Sequence, residues 1–191
     1  MVILFAAVCA SLLWLIGSTL WSIFRPEHRT WPPLRREGVV YHVNGVLGPG
    51  INFGLVALAV LGWNSFVFDH WLRFPVGGAL FVVGGYLALG GVFTLGAERT
   101  YGYEGELVES GPYRFSRNPQ YVGAVLSFVG LNLICNSAPG LAATLIASVW
   151  FLLLPFAEEP WLREKLGARY EEYAARVPRY LGLSRSPEQD S

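Results

Sequence analysis

A polar stretch at residues 111–123 brings together side chains that could bind an anion. Arg114 and Arg117 come just before Asn118 and Pro119, and an apolar run follows. Asparagine is a preferred N-cap and proline fits the first helical turn, so we predict that a helix begins here. Its free N–H groups, its partial positive charge and the two arginines suit a carboxylate or a phosphate. The alternative is an ordinary capped helix that enters a membrane behind flanking arginines.

Glu158 and Glu159 form a second candidate site, at the end of an apolar run that begins near residue 138. Two carboxylates beside a membrane span are costly unless they reach water, a cation or a ligand. Neighbours on a helix point about 100° apart, so the pair can serve two partners, such as an arginine and a ligand ammonium. The alternative is a solvated pair at a helix N-terminus ahead of Pro160, where the helix dipole stabilises negative charge.

The residues after Pro160 predict an amphipathic helix on the cytoplasmic side. Apolar and aromatic side chains recur there at helical spacing, and charged residues occupy the other face. The apolar face comprises Leu162, Leu166, Tyr170, Tyr173 and Val177. We expect this helix to lie on the membrane surface or to fold over the mouth of the bundle. Packing at an interface is the simpler role for its tyrosines.

Composition argues against disulfide, metal and nucleic-acid chemistry. Cys9 and Cys135 lie in apolar runs without a CxxC pair, so we interpret them as buried apolar side chains. None of the three histidines has a second ligand at metal spacing, and no metal site is expected. The 14 basic and 14 acidic residues give no net charge, so we expect no nucleic-acid partner.

Membrane helices are the elements that must position these residues. Of the 191 residues 53% are hydrophobic and only 15% are charged, against about 25% charged in ordinary soluble domains. Because about 20 helical residues cross a bilayer, we predict five spans, at about 2–24, 46–68, 75–96, 120–136 and 138–157. The first run has no charge before Arg25, which favours a retained helix over a cleaved signal peptide. Asn136 and Ser137 are predicted to turn a tight hairpin between the last two spans.

The basic residues predict the orientation of this bundle. Thirteen of the 14 lysines and arginines follow the first, third or fifth span, and only Arg73 lies in an opposite loop. The positive-inside rule therefore predicts an outside N-terminus and a cytoplasmic C-terminus. We expect a bacterial or archaeal inner membrane. The arginines of the first cytoplasmic loop, at 25–36, follow the same bias or bind a phosphate head group, and we favour the bias.

The predicted fold class is all-α: an integral membrane bundle of about five transmembrane helices with the cytoplasmic amphipathic helix at its C-terminal end. Residues 1–183 are expected to form a single domain, and the polar residues 184–191 a disordered tail. The third span carries seven glycines, at positions 77, 78, 84, 85, 90, 91 and 96. We expect them to allow close helix packing, with a ligand contact as the alternative.

The motifs, in order and spacing, resemble those of one enzyme superfamily. They are Gly111-Pro112-Tyr113, Arg117-Asn118-Pro119-Gln120-Tyr121-Val122-Gly123, Glu158-Glu159, the run from Leu166 to Tyr173, and Val177-Pro178-Arg179. This pattern, over about residues 85–181, resembles the integral membrane methyltransferases, which include isoprenylcysteine carboxyl methyltransferases and phospholipid N-methyltransferases. Residues 1–80 match only as membrane helices.

The resemblance implies an S-adenosylmethionine-dependent methyltransferase that acts at the cytoplasmic membrane face on a lipophilic or small amphipathic acceptor. It implies a cofactor site formed by the C-terminal helices, about residues 85–181, and closed by the tail. The implied cofactor-binding residues are Tyr113, Arg117, Asn118, Pro119, Tyr121, Gly123, Glu158, Glu159, Tyr170 and Tyr173. Among them Glu159 is also the implied catalytic residue, and either glutamate meets the cofactor's ammonium.

The methyl acceptor stays open from the sequence. The isoprenylcysteine branch usually has histidine between the arginine and the proline, where this chain has Asn118, which resembles the phospholipid branch and many bacterial relatives. A lipid amine, a thiol and an isoprenoid carboxylate are all retained, with membrane lipids as surrounding partners. Two other functions are retained as well: an NADPH-dependent membrane reductase of related fold, and a non-catalytic membrane scaffold.

Overall fold

The fold is all-helical over residues 1–66, 70–96 and 106–182, which a computed structural model describes. No strand occurs in these residues, as predicted. Six α-helices follow in this part of the chain: α1 (Val2–Phe24), α2 (Val39–Leu61), α3 (Arg73–Leu95), α4 (Pro119–Cys135), α5 (Ala138–Leu166) and α6 (Ala168–Arg176). Two short 3-10 turns cover Pro26–His28 and Gly111–Arg114. The predicted disordered tail lies outside the described residues.

The helix lengths fit a membrane bundle. Helices α1, α2, α3 and α5 are long and apolar enough to cross a membrane, and α4 is a shorter apolar helix of 17 residues. At 1.5 Å per residue α4 is about 25 Å long, somewhat less than the hydrocarbon thickness. Helix α2 begins at Val39 rather than near residue 46, because Gly38, with φ of 93°, ends the preceding loop and Pro49 is accommodated inside the helix.

Helix α5 is central, and α1, α2 and α4 each pack against it. Their shared apolar core comprises Val8, Leu12, Leu15, Ile51, Leu55, Leu58, Phe128, Ala143, Ala147, Trp150, Phe151 and Leu154. Many large apolar side chains on α1, α2 and α3 are exposed instead. An apolar outer surface of this kind is compatible with the hydrocarbon core of a bilayer and not with water.

Glycines bring α3 and α4 into backbone contact. A Cβ at Gly84 would lie 2.7 Å from the carbonyl oxygen of Gly123, and a Cβ at Gly130 would lie 2.6 Å from that of Gly77. No larger residue fits at such a crossing without moving a helix. The predicted packing role is therefore confirmed at Gly77 and Gly84, whereas a Cβ at Gly85 would meet nothing within 4 Å.

Helices α4 and α5 form the predicted hairpin. Asn136 ends α4 with φ of 52° and ψ of 47°, a left-handed conformation that asparagine tolerates better than most residues. Ser137 then caps α5, because its Oγ accepts a hydrogen bond from the Gly140 amide at 3.1 Å. The same hydroxyl donates to the Leu58 carbonyl at 2.9 Å and ties the hairpin to α2.

The C-terminal amphipathic helix differs from the prediction. Helix α5 runs through Pro155 and Pro160 to Leu166, Gly167 interrupts it with φ of 56°, and α6 covers only Ala168–Arg176. A single helix beginning after Pro160 is therefore wrong, because the break falls at the glycine, which alone adopts that backbone readily. The predicted apolar face survives this break. Tyr170, Tyr173 and Val177 pack together with Leu162 and Leu166.

Candidate functional site

Glu159 lies at the centre of three arginines, here called the arginine cluster (Arg117, Arg163 and Arg179). The carboxylate is buried, and Arg179 binds both oxygens, Nε to Oε1 at 2.8 Å and Nη2 to Oε2 at 2.7 Å. Arg117 Nη1 is 3.4 Å from Oε1, and Arg163 Nη2 is 3.8 Å from Oε2. The hydrogen bonds to Glu159 raise the pKa of Arg179, which stays charged. Arg163 also pairs with Glu171, Nε to Oε1 at 3.0 Å. Three guanidinium groups thus face two carboxylates, which leaves one positive charge in excess.

The residues before α4 hold the tail over Glu159. Pro178 accepts a hydrogen bond at its carbonyl from the Arg117 amide at 2.9 Å, and Arg179 accepts one from Asn118 Nδ2 at 3.0 Å. Asn118 takes the predicted N-cap position of α4, but its side chain makes no cap hydrogen bond. The side-chain amide donates its hydrogen bond to the tail instead. The segment before α4 and the tail therefore close one side of the site together.

Glu158 binds different residues from Glu159. Its Oε1 accepts hydrogen bonds from Tyr121 Oη and from Trp31 Nε1, the latter at 2.5 Å. It forms no ion pair with any residue in the described part of the chain. The alternative of a solvated pair at a helix N-terminus is wrong, because both glutamates lie inside α5 and Glu159 is only 1% exposed.

A cavity of about 450 Å³ lies between α1, α2, α4, α5 and the loop that joins α1 to α2. Its wall includes five aromatic side chains, Trp31, Tyr41, Tyr121, Trp150 and Phe151. The polar side chains on the wall are neutral: Ser18, Thr19, Thr30, Asn44, Asn52 and Gln120. Among the residues that the structure describes, none on this wall is charged. Trp31 and Tyr121, which hold Glu158, are both part of it.

Hydrogen bonds fix the first loop, and with it Trp31, to α1. Ser22 Oγ accepts from the Thr30 and Trp31 amides at 2.9 and 3.1 Å. Thr30 Oγ1 lies 2.7 Å from Ser18 Oγ. Sequence reasoning missed Trp31, because its contact with Glu158 spans 127 residues and no local motif marks it.

Three buried tyrosines adjoin the arginine cluster. Tyr173 donates its hydroxyl to the Tyr113 carbonyl at 2.8 Å, and Tyr113 Oη accepts from Gln120 Nε2 at 3.1 Å. The rings of Tyr170 and Tyr173 meet edge to face at 6.2 Å. Burial raises the pKa of Tyr170 to about 12, and it also raises the pKa values of Tyr113 and Tyr173. All three are therefore neutral at about pH 7.

The residues predicted for the cofactor fall into three groups. The first group surrounds the arginine cluster or contacts a residue that does: Arg117, Asn118, Glu159, Tyr170, Tyr173 and, through Tyr173, Tyr113. The second group is Tyr121, which lines the cavity, and Glu158, which binds Tyr121 from behind that wall. The third, Pro119 and Gly123, contacts α3. A Cβ at Gly123 would lie 2.3 Å from the Ala88 amide nitrogen. The cofactor role of all ten stays a prediction, as does the catalytic role of Glu159, whose oxygens both bind Arg179.

Arg163 and Arg179 complete the cluster and were missed as site residues. Signals for both exist in the sequence. Arg163 lies one turn after Glu159 on the same helix, where opposite charges pair. Arg179 closes the Val177-Pro178-Arg179 motif.

Comparison with known proteins places this site in a family. The family model described as phospholipid methyltransferase matches residues 72–169, which is more than half of the chain. The chain belongs to this family. The matched residues of this family member include α3, α4 and α5, but neither Trp31 nor Arg179.

Curated relatives come from two branches. A probable protein-S-isoprenylcysteine O-methyltransferase of Oryza sativa subsp. indica is 31% identical over 116 residues, which is 57% of this chain and 61% of the relative. A phosphatidyl-N-methylethanolamine N-methyltransferase of Emericella nidulans is 34% identical over 107 residues, 52% of each protein. The chain thus spans about half to three fifths of the length of these relatives. No solved structure matches it significantly.

Proposed function

We propose that this family member is an S-adenosylmethionine-dependent methyltransferase that acts at the cytoplasmic membrane face on a lipophilic or small amphipathic acceptor. Membership of a methyltransferase family supports methyl transfer. The observation that carries the cofactor assignment is the state of Arg117. Its Nε and Nη1 atoms are buried and have no hydrogen-bond partner among the described residues.

These two N–H groups fit the amino-acid end of S-adenosylmethionine. Buried donors are nearly always hydrogen-bonded in native proteins. A guanidinium whose buried Nε and Nη1 make no hydrogen bond, with only the 3.4 Å ion pair of Nη1 to Glu159, therefore marks a place for an acceptor. A carboxylate is the group that a guanidinium binds best. The excess positive charge of the arginine cluster also favours one further anionic group.

Each residue around the cluster has a task in this proposal. Arg117 and Asn118 would bind the carboxylate end of the cofactor, and Glu159 keeps Arg117 and Arg179 in position. One of the two glutamates would meet the ammonium. Tyr113, Tyr170 and Tyr173 would form the adenosine side. When bound, the cofactor supplies a methyl group on a positively charged sulfur.

The main work of the chain is then alignment and exclusion of water, because a methyl group is transferred by in-line displacement. The tail residues Pro178 and Arg179 already close over Glu159 through hydrogen bonds to the segment before α4. The neighbouring apolar cavity offers space for an acceptor that arrives from the bilayer.

We also propose that the arginine cluster faces the cytoplasm of a bacterial or archaeal cell. The first loop and the tail, which carry most of the basic residues, both contact Glu158 or Glu159 and therefore lie at one end of the bundle. Arg73, the exception, binds Asn64 Oδ1 at 2.6 Å beside the α2–α3 connection. This distribution is the one that the positive-inside rule describes for a cytoplasmic site.

Calorimetric titration of the detergent-purified protein tests the cofactor assignment. We expect S-adenosylhomocysteine to bind and NADPH not to bind. Glu159→Gln is expected to weaken this binding at least tenfold, and its matched control is Glu164→Gln, an exposed residue of the same helix. Binding of NADPH alone would favour the reductase, and binding of neither ligand would favour the scaffold.

A further inference from the structure

The carboxylate of Glu158 has no cationic partner in the described part of the chain. The two groups that bind it, the Trp31 indole and the Tyr121 hydroxyl, are neutral donors, and both bind Oε1. Oε2 has no hydrogen-bond partner among the described residues. Neutral donors orient a carboxylate without cancelling its charge. Glu158 is therefore available to a cation that approaches Oε2.

Glu159 has no such oxygen to offer, because Arg179 binds both of them. The amino-acid end of the proposed cofactor is a zwitterion, with a carboxylate and an ammonium on one carbon. The excess positive charge of the arginine cluster suits the carboxylate. Glu158, the neighbouring residue on α5, suits the ammonium. The two glutamates thus have separate tasks, and that of Glu158 requires a fixed orientation.

Glu158 lies between the cavity wall and the residues predicted for the cofactor. Its two donors, Trp31 and Tyr121, line the cavity, and Glu158 binds them from behind that wall. Burial and, after it, the negative charge of Glu158 raise the pKa of Tyr113, so these two side chains are close enough to interact. Tyr113 accepts a hydrogen bond at its carbonyl from Tyr173, which adjoins the arginine cluster.

The first loop brings Trp31 to Glu158 from a fixed backbone. Ser22 Oγ accepts hydrogen bonds from the amides of Thr30 and Trp31 at 2.9 and 3.1 Å. The indole ring packs against the apolar core of the bundle, and its Nε1 lies 2.5 Å from Glu158 Oε1. A tryptophan side chain has only two torsions, so a fixed backbone and a packed ring also fix the direction of its N–H group.

We propose that Trp31 is a positioning residue for the cofactor, which holds Oε1 of Glu158 so that Oε2 faces the ammonium of S-adenosylmethionine. This inference rests on the proposed function. Without the indole N–H, Tyr121 is the one donor left among the described residues, and the carboxylate gains freedom to turn away from the ammonium. Trp31 lies outside residues 72–169, so the matched family model does not include this contact.

The first test uses two ligands that differ only in the ammonium. S-adenosylhomocysteine carries it, and S-(5′-adenosyl)-4-mercaptobutanoate, its deamino analogue, lacks it. Both are titrated calorimetrically into the full chain in phosphatidylcholine nanodiscs. Trp31→Phe keeps an aromatic ring in the cavity wall and removes the N–H donor. We expect it to weaken S-adenosylhomocysteine binding about fivefold or more and binding of the deamino analogue by less than about twofold.

Trp21→Phe is the matched control for this variant. Trp21 is exposed, and in the described part of the chain its indole donates only to the His28 carbonyl of the same loop. We expect both ligands to bind Trp21→Phe within about twofold of the wild type.

The second test asks whether Trp31 acts through Glu158. Glu158→Gln keeps the length of the side chain and one acceptor oxygen but removes the charge, and we expect it to weaken S-adenosylhomocysteine binding about tenfold or more. Adding Trp31→Phe to Glu158→Gln should change the affinity by less than about twofold further, because no charge is left to orient.

Three results would overturn the inference while leaving the proposed function intact. Equal weakening of both ligands in Trp31→Phe would show that the indole supports the site as a whole. Unchanged S-adenosylhomocysteine affinity in Trp31→Phe would show that the indole has no effect on the cofactor. The same loss from Trp31→Phe with either glutamate or glutamine at position 158 would show that it does not act through Glu158. Failure of the wild type to bind S-adenosylhomocysteine would instead refute the proposed function.

Discussion

Replacing Arg179 by glutamine tests how far one tail residue stabilises the site. Arg179→Gln removes two charge-assisted hydrogen bonds to Glu159, of 2.8 and 2.7 Å. Each is worth about 1.5–3 kcal/mol, and loss of one partner of a buried pair typically costs about 3–5 kcal/mol. Arg117 and Arg163 still face the carboxylate, and the Arg179 side chain is 30% exposed, so the lower end applies. We expect the free energy of unfolding to fall by about 3 kcal/mol.

The matched control is Arg176→Gln in the same part of the chain. Arg176 pairs with Glu109 at 2.6 Å, but 43% of its side chain and 39% of that of Glu109 are exposed. Exposed pairs contribute about 0–1 kcal/mol. Unfolding of both variants in detergent, followed by circular dichroism, gives the two changes in free energy. Equal changes in the two variants, or a loss below about 1 kcal/mol for Arg179→Gln, would refute the claim that the pair between Arg179 and Glu159 stabilises the folded protein.

Two further predictions concern packing and ionisation. Gly123→Ala places a Cβ 2.3 Å from the Ala88 amide nitrogen and should lower the melting temperature. Gly85→Ala, whose Cβ meets nothing within 4 Å, should leave the melting temperature unchanged or raise it. A lower melting temperature for Gly85→Ala than for Gly123→Ala would contradict the α3–α4 crossing. Burial raises the pKa of Tyr170 from 10.0 to about 12, so its stabilisation is complete below pH 10 and disappears as the pH rises to about 12. Unfolding titrations of Tyr170→Phe should therefore show a smaller loss of stability over that range than the wild type, and an identical loss would contradict the buried position of Tyr170.

The helices could be predicted because long apolar runs have few alternatives in a bilayer. Turn residues located the hairpin as well, since Asn136 adopts the left-handed backbone and Ser137 caps the next helix. Proline was a weaker guide than glycine. Pro160 lies inside α5 without ending it, and the real break occurs at Gly167, whose positive φ favours glycine.

The site could be predicted only where its residues are close in sequence. The Glu158–Glu159 pair and the arginines before α4 stand out as polar residues beside apolar runs, and a 100° offset correctly indicates two surroundings for the pair. The contact between Trp31 and Glu158 depends on how α1 and α5 pack, which no local pattern encodes. The hydrogen bond from the Asn118 side chain to the Arg179 carbonyl likewise depends on how distant segments pack, so no local pattern predicts it in place of a helix cap.

Binding of two related nucleosides tests most directly the claim that Arg117 holds the amino-acid end of the cofactor. S-adenosylhomocysteine carries that end and 5′-methylthioadenosine lacks it. We expect Arg117→Gln to weaken S-adenosylhomocysteine binding at least tenfold, because the carboxylate of that ligand loses the two buried N–H donors of Arg117. We expect the affinity for 5′-methylthioadenosine to stay within about twofold of the wild type. Equal weakening of both ligands, or unchanged affinity for S-adenosylhomocysteine, would contradict the assignment.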